Sequence, residues 1–144
     1  MKKEKSTNEL LQAFVFGLAN KLMNEGCMTR SEAFERAYLV KDLLEKLGQG
    51  KVCFLYEKQG NDQRKAYGTL RKGIDPAFDA YKDKDKDKVK KNKYYDTLNF
   101  TYWDLEAKGF RTFSALRIVK IIAVSIPNYR ETKDHELPEL IEFV

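Results

Sequence analysis

The residues of this chain best suited to chemistry are cationic and aromatic. Lys88, Lys90, Lys91 and Lys93 run directly into Tyr94 and Tyr95, and Trp103 and Arg111 follow soon after. Lysines neutralise phosphates, and aromatic rings accept stacked bases. An exposed Trp103 beside Arg111 would suit base stacking or a cation–π contact. Such a surface holds a nucleic-acid backbone with little readout of sequence. Both features also have plainer uses. A lysine-rich loop keeps a sheet edge soluble, and a tryptophan can pack beneath the helices that precede it.

Other constellations point away from catalysis and metal binding. The single histidine, His135, lies in a polar tail, and no Cys/His cluster has zinc spacing. Asp83, Asp85 and Asp87 have the spacing that opens a calcium loop. The loop's required glycine is Lys88, however, and its bidentate glutamate is Tyr94. No Walker loop, GxGxxG, GxSxG or HExxH occurs. Asp104 and Glu106 are close in sequence but flanked by turn residues, where a carboxylate keeps its water. The expectation is a protein that is not an enzyme and uses no metal or cofactor.

The charge distribution sharpens the first reading. Net charge is +5 over 144 residues. Residues 82–93 alone hold seven basic and three acidic groups, whereas residues 127–144 hold two and five. The basic character is therefore concentrated in one segment, and an acidic tail ends the chain. No run of 18 apolar residues exists, and the charged start MKKEKSTNE lacks a signal-peptide core. With two cysteines, Cys27 and Cys53, far short of a disulfide framework, the chain reads as cytoplasmic and not membrane-bound.

Periodicity supplies the elements that must position these residues. Ser6 with Glu9, and Thr29 with Glu32, form capping boxes ahead of helices over 7–24 and 30–47. Gly26 is the expected left-handed cap of the first. The short link makes an antiparallel helical hairpin. After Gly50 the apolar period drops to 2, giving strands over about 51–57 and 65–70 joined by Gln59-Gly60-Asn61-Asp62. Residues 71–97 lack periodicity and read as an exposed, partly disordered insertion. Strands over 98–104 and 110–113 follow, then a single 3₁₀ turn at Ser114-Ala115-Leu116, then a strand over 117–124. Alternation assigns Phe54, Tyr56, Phe100, Tyr102 and Phe113 to the core and leaves Tyr67, Trp103 and Phe110 able to face outward.

The predicted fold class is α+β: an N-terminal helical hairpin (1–49), a five-stranded SH3-like β-barrel (50–126) with a long charged insertion loop (71–97), and an acidic C-terminal tail (127–144). The stretch Val52-Cys53-Phe54-Leu55-Tyr56-Glu57-Lys58, then Gly68-Thr69, Tyr94-Tyr95-Asp96 and Gly109-Phe110-Arg111-Thr112-Phe113, resembles a bacterial family of small SH3 β-barrel proteins, WYL-like or Sm-like. The resemblance covers about residues 51–122. It departs from the family pattern at Phe110, often Trp, and at Thr112, often Ser. It implies the barrel and, by analogy alone, a binding role without catalytic residues.

The functional expectation is nucleic-acid binding, to single-stranded DNA or RNA, through Lys88, Lys90, Lys91, Lys93, Tyr94, Tyr95, Trp103 and Arg111. The alternative is a protein–protein interaction module whose anchors are the helical hairpin and the tail Leu137–Val144, which is acidic with apolar teeth.

Overall fold

The computed structural model of the protein describes residues 7–60, 62–84, 89–91, 98–127 and 141–143. Two helices come first, α1 (Thr7–Gly26) and α2 (Arg30–Leu47). Thr29 begins α2, its hydroxyl accepting the Glu32 N–H at 3.2 Å as one arm of the expected capping box. The Ser6 cap lies outside the described residues. The left-handed residue after α1 is Cys27 (φ 53°), not Gly26. Gly26 serves a different need: a Cβ there would stand 2.6 Å from Leu116 Cδ2, so the glycine admits that side chain.

Strands β1 (Lys51–Glu57) and β2 (Gln63–Thr69) form the expected hairpin. Strands β4 (Asn99–Asp104), β5 (Gly109–Ser114) and β6 (Ile118–Ser125) complete an antiparallel sheet of order β5-β4-β2-β1-β6. The turn between β5 and β6 is a single one, closed by Arg117 N–H to Ser114 O at 3.0 Å. Register shifts in the β1–β6 ladder, at Cys53/Phe54 and Leu55/Tyr56, bend β1. The bent sheet brings β5 over β1. Phe113 lies 5.6 Å from Phe54 and 6.1 Å from Tyr56, between ring centroids. Two further short strands, β3 (Val89–Lys91) and β7 (Ile141–Phe143), pair with each other and set Lys90 opposite Glu142.

The core is continuous between helices and barrel. Phe14, Leu18 and Leu22 of α1 and Val40, Leu44 and Leu47 of α2 share one buried cluster with Phe54, Phe100, Tyr102 and Phe113. All five aromatics assigned inward by alternation are buried. The helical hairpin thus packs on its own barrel, and polar ties fix the contact. Arg36 Nη1 donates to Leu116 O (2.8 Å) and Ile118 O (3.0 Å). The buried Thr69 hydroxyl donates to Gly50 O at 2.8 Å and accepts from Arg71 N–H at 3.0 Å. Gly68 has no Cβ because Tyr102 crosses it: a Cβ would stand 2.6 Å from Tyr102 Cδ2. The Gly68-Thr69 pair is therefore an assembly device of the fold.

Residues 71–97 depart from the expected irregular insertion. They contain a helix, α3 (Pro76–Lys84). Its start is written locally. Asp75 Oδ1 accepts the Ala77 N–H at 3.1 Å, and Pro76 occupies the first turn, where a missing N–H costs nothing. Phe78 and Tyr81, three residues apart, then share one face. That face covers the outer side of β4 and β5, where it packs on Trp103 and Phe110.

Candidate functional site

At one end of the barrel a cleft of about 610 Å³ opens between the β1–β2 hairpin and β5. Its cations are Lys58, Arg64, Arg111 and Arg117. They come from four places: the turn after β1, the second residue of β2, the middle of β5 and the turn into β6. The sheet brings them together. Arg64 stands opposite Tyr56 in the β1–β2 register, and Arg111 stands opposite Tyr102 in the β4–β5 register. Tyr56 and Phe113 form a buried floor. Gln59, Asn99, Thr112 and Ser114 complete the polar part of the lining by residue, and Glu57 is the one carboxylate-bearing residue on it.

Below this lining the charges are fixed. Asp104 is 5% exposed. Its Oδ1 accepts the N–H groups of Glu106 and Ala107, both at 2.9 Å, and so closes the β4–β5 turn. Its Oδ2 lies 3.1 Å from Arg111 Nε, off line for a hydrogen bond, so the contact is ionic. This holds the guanidinium by its inner edge and leaves its terminal nitrogens to the cleft. Arg64, Arg117 and Lys58 have no carboxylate within ion-pair distance among the described residues. Burial, and next the 2.9 Å hydrogen bond to the Tyr56 hydroxyl, push the Tyr102 phenol far above its ordinary range.

The residues expected to bind are not gathered in one place. Arg111 lines the cleft. Trp103 does not, and the stacking role assigned to it is corrected. It pairs with Phe110, not Arg111, so it projects from the opposite face of the sheet. It is 4% exposed, with Phe78 at 5.5 Å and Phe110 at 5.0 Å between ring centroids. Its indole Nε1–H donates to Asp75 Oδ2 at 2.8 Å. Packing beneath the helical hairpin is corrected as well, since the cover is α3. Lys90 and Lys91 lie in β3, which pairs with β7 and not with a strand of the five-stranded sheet. Lys88, Lys93, Tyr94 and Tyr95 lie outside the described residues, as does His135.

Lys58, Arg64 and Arg117 were missed because nothing in the linear sequence groups them. Their signal was strand register: Arg64 falls opposite Tyr56 once the hairpin is set about its turn. The tail was read as an anchor for a partner protein; its described part, β7, pairs with β3 of the same chain. Both cysteines are free, Cys27 exposed and Cys53 buried. Among the described residues no group of three or more His, Cys, Asp or Glu could hold a metal ion, and no helix is long and apolar enough to cross a membrane.

Comparison with known proteins gives one match. The family model WYL_2, described as an Sm-like SH3 β-barrel fold, matches residues 40–119. That span starts in the last turns of α2 and contains four of the five barrel strands and all four cations of the cleft. No curated protein and no solved structure matches the chain.

Proposed function

Because the chain belongs to the WYL_2 family of Sm-like SH3 β-barrels, we propose that its barrel is a binding module without catalytic chemistry, and that its ligand is nucleic acid held in the cationic cleft. One observation carries this reading: four cations from four separate segments converge on one recess, three of them without a carboxylate partner among the described residues. Unpaired cations repel one another, so grouping them is unfavourable unless an anion arrives. Phosphates supply that anion, and arginine's planar fork suits their oxygens. Stacking contributes little here, because the floor rings Tyr56 and Phe113 are buried. Affinity should therefore be dominated by phosphate contacts and fall steeply with salt.

The test is fluorescence anisotropy with single-stranded DNA, single-stranded RNA and duplex at several salt concentrations, with heparin as polyanion control. Preference for one nucleic acid over heparin, lost in Arg64→Gln/Arg117→Gln, supports the reading. Weak, indiscriminate binding that both forms of the protein share, gone by about 150 mM salt where exposed charges are screened beyond about 8 Å, overturns it.

A protein-interaction module is the second reading, favoured by one feature of the helical hairpin. Leu10, Phe16 and Tyr38 are each more than half exposed, which is costly surface for a helix pair to leave in water. Partner capture that survives Arg64→Gln/Arg117→Gln but is lost with Phe16→Ser would favour it over the cleft.

A further inference from the structure

The cleft is cationic, small and closed to stacking, and these properties select among phosphates. Resting on the nucleic-acid reading above, we infer that it is a subsite for a terminal phosphomonoester of a nucleotide, free or at the end of a strand, rather than for the phosphodiesters along a chain.

Charge is the first argument. Lys58, Arg64, Arg111 and Arg117 face Glu57 on the lining and Asp104 beneath Arg111, which leaves a net of +2. A phosphodiester carries a single negative charge. A phosphomonoester carries about −1.5 to −2 at pH 7, so it alone matches the recess.

Size is the second argument. Proteins that track single strands use grooves of about 4–16 nucleotides per barrel, with exposed rings for successive bases. This recess, of about 610 Å³, falls within the about 300–1,000 Å³ of pockets for compact ligands. Its two aromatic residues are 4% and 1% exposed, so neither offers a face to a base.

Geometry is the third. A terminal phosphate presents three oxygens, one more than a bridging phosphate leaves free. Arg111, braced at Nε, keeps both terminal nitrogens for two of them. Arg64 and Arg117 have no competing carboxylate among the described residues.

The experiment uses the full chain and one labelled oligonucleotide sequence in three forms: 5′-phosphate, 3′-phosphate and hydroxyl ends. A nucleoside 5′-monophosphate, the nucleoside and inorganic phosphate serve as competitors. A terminal phosphate at one end should tighten binding at least tenfold at fixed salt. The gain should grow from pH 5 to pH 7, as the second phosphate proton leaves near about pH 6. The groups facing the phosphate are the four cations, Glu57 and Asp104, with no histidine among the lining residues. Titrating the hydroxyl-ended strand in parallel subtracts their own contribution.

Arg117→Gln, at an exposed position, and Arg64→Gln should each abolish the phosphate gain, so that the three forms of the strand bind alike. Arg64→Lys should restore part of it, and thermal melts would check that each variant is folded. Competition by the mononucleotide identifies a free nucleotide as the source, whereas failure to compete, with the gain intact, identifies a strand end. Equal affinity for all three ends overturns this inference and leaves the nucleic-acid reading standing. Binding of the mononucleotide without any strand overturns that reading and leaves the phosphomonoester site. No binding of either overturns both.

Discussion

Asp75 and Asp104 are both buried, and each faces a cation across 3.1 Å. They sit on opposite faces of the β4–β5 hairpin and serve different ends. Asp75 accepts from Trp103 Nε1, Lys108 Nζ and the Ala77 N–H, and so clamps α3 onto the outer face. Every bond there is internal to the fold. Asp104 divides its oxygens between a turn and Arg111, and the arginine it braces opens onto the cleft. A buried carboxylate beside a cation is thus not in itself a sign of function. What separates the two sites is the number of cations left over. Among the described residues the Lys108 cation is spent on Asp75, whereas the cleft that Arg111 lines also holds Lys58, Arg64 and Arg117 without a carboxylate at ion-pair distance.

The comparison breaks most sharply at Trp103. Trp103→Ala removes a large buried ring and the donor to Asp75, and should cost about 3–5 kcal/mol in denaturant unfolding. If the two faces are independent, the oligonucleotide binding proposed for Arg64 and Arg117 should survive in whatever fraction remains folded. Oligonucleotide affinity, corrected for that fraction, should stay within about twofold, the scale set by the few tenths of a kcal/mol within which separated sites add. A larger loss would mean that the outer clamp shapes the cleft.

Acid tests the clamp next. Burial raises the Asp75 carboxyl, but its hydrogen bonds from Trp103, Lys108 and Ala77 and the Lys108 charge outweigh it and hold the group below the usual carboxylate range. A carboxyl depressed in the folded state contributes stability that is complete above its unfolded value of about 3.9 and is lost as pH falls through the folded value. Asp75→Asn should lower stability at neutral pH and flatten the acid limb below about pH 4. Equilibrium unfolding at pH 7, 4 and 3 would show both. An acid limb identical in the variant would remove Asp75 from its cause.

Arg64→Gln/Arg117→Gln addresses the other face. Each phosphate contact contributes about 0.7 to the slope of log affinity against log salt for single strands. Loss of two should reduce the slope by about 1.4. A fall in affinity with an unchanged slope would mean that these arginines do not touch phosphate.

The barrel was legible because its inner face is written in alternation. Phe54, Tyr56, Phe100, Tyr102 and Phe113 repeat with period 2, and that spacing leaves them no other face. The same alternation put Trp103 and Phe110 on the outer face, which is where they lie. What it lacked was the cover. α3 is nine residues long and amphipathic over only Phe78 and Tyr81, too short to announce itself by period next to the Lys82–Lys88 run. Its one local signature was Asp75-Pro76, a cap followed by a first-turn proline. The cleft was illegible for a different reason. Lys58, Arg64, Arg111 and Arg117 are spread over 60 positions of the chain, and only the sheet register collects them. The lysine run drew attention because it is contiguous, yet contiguity in sequence is not convergence in space.

The smallest effect is the most discriminating. Asp104→Asn keeps an oxygen that can accept the Glu106 and Ala107 N–H groups, so the turn should hold and stability should change by about 1 kcal/mol or less. The change also frees Arg111 from its counter-charge and raises the net charge of the site to +3. Hydroxyl-ended strands, which respond to charge alone, should bind slightly more tightly. A terminal phosphate, which depends on the braced fork, should lose part of its advantage. These two affinities moving in opposite directions is the outcome that assigns Asp104 a positioning role. If both rise together, Asp104 acts only as a negative charge, and the distinction between the two aspartates reduces to where each is buried.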